Sequence, residues 1–557
     1  MIFDIVWMRV GLYVGLLGSL VAGQLPEASA QSDPSGFDTV INAPPTIIGE
    51  NESIGSNTQL NVFDDPNVEF EVGSGLAVGS SVTSNIEVNL FSGVIDSNFS
   101  FNTGFRLNAG STTNIFGGQV RGRLDANAGS VLSISGGNIT GNVAANEGSS
   151  VFISGGEFGP VNAGGGSNVE IAGGLLEGFG ASRNSVVTIS GGTFDSNFNI
   201  QPDSDVTIRG GEFLLNGIPL ANPATVTITT SGGLTLNDSL TGTLEDGSVF
   251  VFSPRVQDRL ISVVFETVAL PAIDLTPIVV ENALDVAPAG LRAGQSLTLR
   301  GDGALGPDFA AVDATLNIEG GSVDSDIEVA GSTVTISDGG ATSLIAFPGS
   351  EINLSGGEVG RLMLLESSAE ISGGSLGSLE IGSGSVLDVT GGEVGIDLSF
   401  FSISVDVGGT LNVFGGSFIG SVGVSSGGEF NLHVTEAFID GAPIDGLLLG
   451  EPLTILERGQ VLLTGLLADG SEFSFELFPF GRAIGGDFFE PATVTVTLVS
   501  PVLLGDVNQD EVVNFEDIPS FIEVLQAGGF LDEADCNQDG AVNFSDIPRF
   551  VEILQAQ

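Results

Sequence analysis

Pairs of glycines recur at a nearly constant interval along this 557-residue chain. Six of them follow a short apolar-polar alternation, as in "LSISGG" and "VTISGG", and successive pairs are 18 or 19 residues apart: Gly117, Gly136, Gly155, Gly173, Gly191 and Gly210 begin them. A second series begins at Gly320, Gly339, Gly356, Gly373, Gly391 and Gly415. Similarity at a short fixed period is the signature of stacked structural repeats, so the sequence predicts a solenoid.

Each repeat is typical of short strands joined by turns. In "SVLSISGGNITGNVAANEG", apolar and polar residues alternate from Val131, which is the period of a strand. Gly136 and Gly137 are expected to supply positive φ at a corner. At about 3.3 Å per residue, one repeat closes one circuit, and circuits stack about 4.8 Å apart. The pattern predicts a parallel β-helix of about 17–19 residues per coil, and right-handed, because the strict six-residue period of left-handed forms is missing.

The repeat region is itself duplicated. "LTGTLEDGSVF" follows the first series of glycine pairs, and "LTGLLADGSEF" follows the second. We therefore predict a mostly β protein with two right-handed parallel β-helix modules, each ended by a strand-rich cap, at residues 31–270 and 271–501. A small all-α, calcium-binding domain is expected at 502–557. The coil length resembles that of filamentous-haemagglutinin-type adhesins and other right-handed β-helix proteins.

Residues 1–30 have the pattern of an export signal. Arg9 precedes the apolar run "GLYVGLLGSLVAG", and the small residues "ASA" then end at Ala30. The run is too short to span a bilayer as a helix. We expect cleavage before Gln31, a secreted or cell-surface location, and no membrane insertion after cleavage.

The charge of the chain excludes nucleic acid as a partner. The sequence has 69 acidic residues and 14 basic ones, for a net charge of −55, and every basic residue is Arg. Phosphate contacts need clustered cations, which this chain does not offer. With a single cysteine, Cys536, the chain forms no internal disulfide. An exported chain of this kind must be held together by its core, by metal, or by both.

Two acidic phrases near the C-terminus, "DVNQDEVVNFEDI" and "DCNQDGAVNFSDI", have the spacing of calcium loops. Such loops place oxygen ligands at positions 1, 3, 5, 7, 9 and 12. An oxygen-only set favours a hard cation, and its size favours Ca²⁺ over Mg²⁺. The predicted ligands of the first site are Asp506, Asn508, Asp510, the carbonyl of Val512, Asn514 and Asp517; those of the second are Asp535, Asn537, Asp539, the carbonyl of Ala541, Asn543 and Asp546.

These two loops, each followed by a short amphipathic helix, resemble the type I dockerin domain. The resemblance covers roughly residues 505–557, and both loops end in Asp, as in dockerins. It implies two bound calcium ions and docking onto a cohesin-like module, or onto another extracellular or cell-surface protein. Dockerin partner contacts often involve loop positions ten and eleven, which here are Phe515 with Glu516 and Phe544 with Ser545.

The chemistry of the remaining residues favours a non-catalytic body. His433 is the only histidine, Lys is absent, and the only Tyr and Trp lie within residues 1–30. Most general bases are therefore missing, and His433 is expected on the outer face of a strand. The leading hypothesis is an exported display rod with a calcium-dependent docking tail. Two alternatives stay open: a surface adhesin or matrix component that binds glycan or protein, and a dockerin-bearing polysaccharide-degrading enzyme using paired carboxylates such as those at 195–197 or 324–326.

The two calcium sites are expected to differ in affinity. Position six makes a sharp turn with positive φ, and it is Glu511 in the first loop but Gly540 in the second. Positive φ costs a non-glycine residue about 1 kcal/mol, so the first site should be the weaker. Glu511→Gly should tighten the first site about fivefold in a calorimetric calcium titration. Unchanged or lower affinity would refute this explanation.

Overall fold

The computed structural model describes residues 37–49, 52–65, 71–73, 76–80, 84–97, 104–194, 198–228, 238–253, 260–396, 402–456, 459, 461–477, 487–488, 493–500, 504–510, 512–527, 529–531, 533–537 and 541–556. Strands account for 54% of residues and helices for 5%, so the mostly β prediction is confirmed. The strands form a parallel β-solenoid of about 18 turns, which confirms the predicted stack of coils. The predicted signal peptide, residues 1–30, lies outside the described residues.

The first half of the chain contains β1–β24. Their bounds, in order, are Thr39–Ala43, Ser53–Ile54, Thr58–Val62, Ala77–Val78, Ile86–Leu90, Val94–Ser97, Phe105–Leu107, Ser111–Ile115, Gln119–Gly122, Leu124–Ala126, Val131–Ile139, Val143–Ala145, Ser150–Phe158, Val161–Ala163, Asn168–Leu176, Phe179–Ala181, Val186–Phe194, Phe198–Ile200, Asp205–Leu215, Ile218–Pro219, Ala224–Ile228, Leu240–Leu244, Val249–Phe252 and Leu260–Thr267.

The second half contains β25–β47 and then the helices. The strand bounds are Ile278–Val280, Gly290–Leu291, Ser296–Leu299, Phe309–Val312, Thr315–Ala330, Thr333–Ala346, Glu351–Leu354, Glu358–Leu364, Ser368–Ile371, Ser375–Ile381, Val386–Val389, Glu393–Val394, Ile403–Val405, Thr410–Val413, Ser417–Phe418, Val422–Val424, Glu429–Ile439, Ala442–Pro443, Pro452–Ile455, Val461–Leu467, Glu472–Leu477, Asp487–Phe488 and Thr493–Leu498. A 3₁₀ turn, Phe515–Asp517, leads into α1 (Ile518–Ala527), and α2 is Ile547–Ala556. No helix in the described ranges has the length and apolar character needed to cross a membrane.

Coils stack by parallel pairing of equivalent strands. One column runs β1-β3-β5-β8-β11-β13-β15-β17-β19, and a second runs from β2 to β18, while the strands of the second half form a third sheet. Most coils keep the predicted length, as in Val131, which pairs with Ser150. Three coils are longer: Thr58 pairs with Ile86, Ile86 with Ser111, and Val386 with Thr410. The longer coils carry insertions between strands that themselves stay in register.

Alternate residues of each strand fill the interior. In β11, Leu132 and Ile134 are buried while Ser133 between them faces outward, as the alternation predicts. The same inward positions on successive coils form continuous apolar columns, because parallel register aligns Leu132 with Val151 and then Val169. Two separate cores result, one within residues 43–265 and the other within 280–496.

The glycine pairs do not end strands, as the sequence interpretation implied. β11 continues through Gly136 and Gly137 to Ile139 with a shift of register there. Only the second glycine has positive φ, at 92° for Gly137. The first is required for space: a Cβ on Gly136 would lie 2.5 Å from the carbonyl oxygen of Phe116 on the preceding coil. The pair therefore marks a bend at which neighbouring coils approach too closely for any side chain.

Each half ends in a cap with the same strand order. β19 pairs antiparallel with β20 and β22 and parallel with β24. In the second half, β41 pairs antiparallel with β42 and β44 and parallel with β47. The repeated "DGS" anchors each cap to the solenoid: Asp246 accepts a hydrogen bond from the N–H of Gly192 (2.9 Å), and Asp469 accepts one from Gly416 (2.9 Å).

The two caps differ in the face that they present away from their own core. Val249 and Val251 of β23 are buried in a cluster with residues of the second half that includes Ala310, Val312 and Phe347. By alignment of "EDGSVFVF" with "ADGSEFSF", Glu472 and Ser474 stand in these places in the second cap, and both are exposed. The first cap therefore joins the two halves, whereas the second ends in a polar face.

An ion pair reinforces this junction. The guanidinium of Arg292, in the second half, donates from Nη2 to Glu212 Oε1 (2.9 Å) and from Nη1 to the carbonyl of Pro271 (2.7 Å). Burial alone would raise the pKa of Glu212, but hydrogen bonds from Arg292 and Thr243 and the charge of Arg292 outweigh it and lower that pKa. The carboxylate is therefore ionised at neutral pH, and the pair stays charged across the junction.

The double substitution Val249→Glu with Val251→Ser gives the first cap the face of the second. It should remove about 3–6 kcal/mol of apolar burial at the junction, because a buried Val side chain contributes about 1.5–3 kcal/mol. We expect a new unfolding transition at lower temperature in differential scanning calorimetry. The matched control, Glu472→Gln with Ser474→Ala, should leave the profile of the natural protein. Identical profiles for both double variants would contradict a joining role for the first cap.

Candidate metal centre

The first predicted calcium loop is folded around its own acidic side chains. Asp506 and Asp517, at its two ends, are 5% and 0% exposed, although ionisable carboxylates are rarely buried without partners. The N–H of Asp510 donates to both Asp506 Oδ1 and Asn508 Oδ1 at 3.0 Å. Side-chain oxygens from positions 1, 3 and 5 therefore cluster at the start of the loop. Glu511, at position six, lies outside the described residues.

Asp517 closes this loop from its C-terminal end. Its carboxylate accepts from the N–H of Asn508 (3.0 Å) and from the N–H of Asn514 (2.8 Å). Asn514 in turn accepts from the N–H of Glu516 and caps the short 3₁₀ turn. One buried carboxylate thus joins position 3 to position 9 of the loop, and it fixes the start of α1.

The second loop repeats this arrangement. Asp546 is fully buried and accepts from the N–H groups of Asn537 (3.1 Å) and Asn543 (2.8 Å). Asn543 accepts from the N–H of Ser545 (2.8 Å), as Asn514 does from Glu516 in the first loop. Asp535 is 6% exposed. Asp539 and Gly540 lie outside the described residues, so the fifth and sixth positions have no structural description.

The two loop-helix units pack together as predicted. Phe521 of α1 stacks on Phe550 of α2, with ring centroids 4.0 Å apart and ring planes 13° apart. Val507, Val513 and Leu554 complete a small core with them. Pro519 and Pro548 each occupy the second position of a helix, where their missing N–H breaks no hydrogen bond. The loops are therefore held side by side by one apolar contact surface.

Cys536 lies inside this small core. It is 2% exposed, and burial raises the pKa of its thiol to about 12, with the Asp546 and Asp535 carboxylates acting in the same direction. The thiol is therefore neutral at physiological pH and shielded from solvent. Its location makes Cys536 a reporter of whether the two loops and helices are assembled.

The donor chemistry of both loops fits a hard cation. Asp506, Asn508, Asp510 and Asp517 in the first loop offer carboxylate and amide oxygens only, and Val512 and Ala541 add their carbonyls at position 7. In the described part of the chain no three His, Cys, Asp or Glu side chains form a metal cluster by themselves. The carboxylates of the first loop instead accept hydrogen bonds from loop N–H groups, so metal binding would compete with those bonds.

Other residues singled out in the sequence are not gathered into one site. His433 faces outward from β41, as predicted, and its ring stacks on Phe414 with centroids 4.0 Å apart. Residues 195–197 lie outside the described residues, as do the side chains of Asp324 and Ser325, while Asp326 is half-buried. The sequence interpretation missed one outward-facing feature, a ladder of Asn side chains beside Phe414 and His433. The recurring "NVF", "NLF" and "NLH" could have revealed it.

Asp517→Ala and Asp546→Ala each leave two backbone N–H groups of a loop without their acceptor. An unsatisfied buried donor costs about 1–3 kcal/mol, so each variant should loosen the C-terminal domain by about 2–4 kcal/mol. We expect faster labelling of Cys536 by a thiol reagent, measured on the full chain in chelator so that metal plays no part. Glu516→Ala, an exposed neighbour, is the control. If the unsubstituted protein labels at once in chelator, the loop hydrogen bonds alone do not hold this domain.

Comparisons with family models, with curated proteins and with solved structures gave no match to this chain. The likeness to dockerins therefore stands on the two loops themselves, from Asp506 to Asp517 and from Asp535 to Asp546. The loop closures by Asp517 and Asp546 and the stacked Phe521 and Phe550 are the structural features that accompany it.

Proposed function

We propose that this protein is an exported, non-catalytic display rod that is docked to an extracellular or cell-surface partner by a calcium-dependent, dockerin-like tail. The rod consists of two right-handed parallel β-helix modules, at residues 31–270 and 271–501, and the tail is residues 502–557. Two calcium ions would be held by the loop oxygens described above, and they would supply charge compensation and folding energy to the tail. A cohesin-like module is the first partner to test.

The observation that carries the docking proposal is a matched pair of exposed phenylalanines. Phe515 and Phe544 occupy position ten of their loops and are 72% and 80% exposed. Both precede the buried Asp that closes the loop, so each ring stands on a fixed turn. Large exposed aromatic side chains on rigid backbone are typical of the residues that contribute most to protein interfaces. The internal repeat presents two of them.

The repeated caps support the two-module rod. Each cap follows its solenoid in the same strand order and anchors through the same Asp-Gly-Ser turn. A joining cap and a terminal cap, distinguished by Val249 and Val251 against Glu472 and Ser474, are what a series of two modules requires. An extended acidic surface on such a rod stays soluble and discourages association with anionic polymers.

The stacked, half-buried position of His433 supports a body without acid-base catalysis. Burial lowers the pKa of this imidazole, and the Asp388 carboxylate only partly opposes that effect. The His433 side chain is therefore neutral at pH 7 and sits face to face with Phe414. A general base would need a proton-accepting position aimed at a substrate, and a ring stacked in a side-chain ladder is better suited to packing or binding.

The docking test uses the double variant Phe515→Ala with Phe544→Ala. The natural full chain should capture a partner from extracellular proteins in calcium and release it in chelator, and the captured protein should rebind when purified. Removing two exposed anchors should weaken this purified interaction at least about tenfold, since each interface hot spot contributes about 2 kcal/mol or more. Calorimetric calcium titration should give two binding events in both proteins.

The matched control is Ile522→Ala with Val551→Ala, which removes two exposed apolar side chains from α1 and α2 away from the loops. It should bind the purified partner as the natural protein does. Calcium binding with capture that ignores both chelator and the Phe substitutions would contradict docking through the loops. Loss of calcium binding itself would instead contradict the metal assignment.

A further inference from the structure

An open groove of about 390 Å³ lies on the outer face of the second solenoid, where its last coil meets its cap. One wall is a ladder of polar side chains on successive strands: Asp388 of β35, Asn412 of β38, Asn431 of β41 and Thr495 of β47 are aligned by parallel register. Three strand spacings of about 4.8 Å give this wall a length of about 14 Å. The volume is in the range of small-ligand sites.

The ladder is internally ordered and retains hydrogen-bonding capacity. Asn412 Nδ2 donates to Asp388 Oδ1 (2.7 Å), and Asn431 Nδ2 donates to Asn412 Oδ1 (2.8 Å). Each amide has two N–H donors and one carbonyl acceptor. Among the described residues, the second N–H of Asn412 and the carbonyl of Asn431 make no further hydrogen bond, so donors and acceptors alternate along the wall.

The second wall is made of rings. Phe414 and His433 follow Asn412 and Asn431 by two residues, so they point outward from the same strands one step further along. Their rings stack at 4.0 Å with planes 13° apart, and Pro452 and Thr497 complete the lining. The groove thus pairs an apolar, flat surface with a row of amide and hydroxyl groups.

We propose that this groove is a binding site for a neutral oligosaccharide. A sugar ring offers an apolar face of C–H groups, which would lie against Phe414 and His433, and a rim of hydroxyls, which would bond to Asn412, Asn431 and Thr495. Asp388 is the single ionised group of the lining, and the chain is strongly acidic, so an anionic sugar is disfavoured. This site lies in the body of the protein and does not depend on docking by the tail.

The same pattern recurs without this groove's surroundings, and it supplies a control. In the first solenoid Asn114 bonds to Asn89 (2.9 Å), and Phe116 stacks on Phe91 with centroids 5.2 Å apart. Phe116 is 51% exposed on an open sheet face and lines neither of the two grooves described for this fold. Phe116→Leu therefore makes the same chemical change in the same local motif as Phe414→Leu.

The test uses His433 as a single reporter, because the chain contains no other histidine. The full chain, labelled with ¹³C at histidine Cε1, is titrated with cellotriose, xylotriose and mannotriose and with the anionic trigalacturonate. We expect at least one neutral trisaccharide to shift the His433 signal saturably and trigalacturonate to leave it in place. Phe414→Leu should weaken that binding about three- to tenfold, and Phe116→Leu should not change it.

Thr495→Val is a second variant that keeps side-chain volume and removes one hydroxyl from the polar wall. It should also weaken binding, and its thermal unfolding should match that of the natural protein, so the test stands even if Phe414→Leu does not fold. The proposal is overturned if no neutral trisaccharide moves the His433 signal, if trigalacturonate moves it equally, or if calorimetry detects binding while the signal stays fixed. None of these outcomes touches docking by residues 502–557, which is measured with a protein partner.

Discussion

The stacking of each coil directly on the one before it is the constraint on which the rest of this structure depends. Parallel backbone hydrogen bonds join equivalent strands of successive coils, so an inward residue on one coil must be apolar on the next. The same spacing leaves no room for a Cβ at Gly136, which faces the carbonyl of Phe116. The glycine pair is therefore imposed by the neighbour below as much as by the bend of its own strand.

A stack of coils has two ends, and this chain treats them through the outward face of a cap. Phe252 packs on Phe198 in the last coil of the first half, with ring centroids 4.5 Å apart, so the cap closes its own core. Its other face carries Val249 and Val251 and is covered by the second half. Because the second cap has Glu472 and Ser474 there, burying that face would desolvate a carboxylate, and stacking stops.

The C-terminal region is held by a different balance of forces. Its apolar core is small, centred on Phe521 and Phe550, and a domain of about fifty residues gains little from such a core. Buried carboxylates that accept loop N–H groups, at Asp517 and Asp546, supply additional order. Their burial concentrates negative charge, which favours a divalent cation and explains why oxygen ligands and structural closure are found on the same residues.

The sequence by itself determined the features that are set locally. The coil period, the inward positions of strands such as β11, the ligand positions of both loops and the pairing of Phe521 with Phe550 all follow from alternation and spacing within a few residues. Local chemistry decides these, because a strand faces alternate sides and a helix repeats every three to four residues whatever surrounds it.

Only the tertiary structure decided which distant residues meet. Coils of unequal length place Asn412 beside Asp388, 24 residues earlier, and Asn431 beside Asn412, 19 residues earlier, and no single period in the sequence gives both. Burial of Val249 depends on a surface formed by the second half. The inward turn of Asp517 toward loop N–H groups likewise depends on the closed loop. Neighbours across coils are set by insertion lengths and by the three-dimensional path of the chain, which local patterns do not specify.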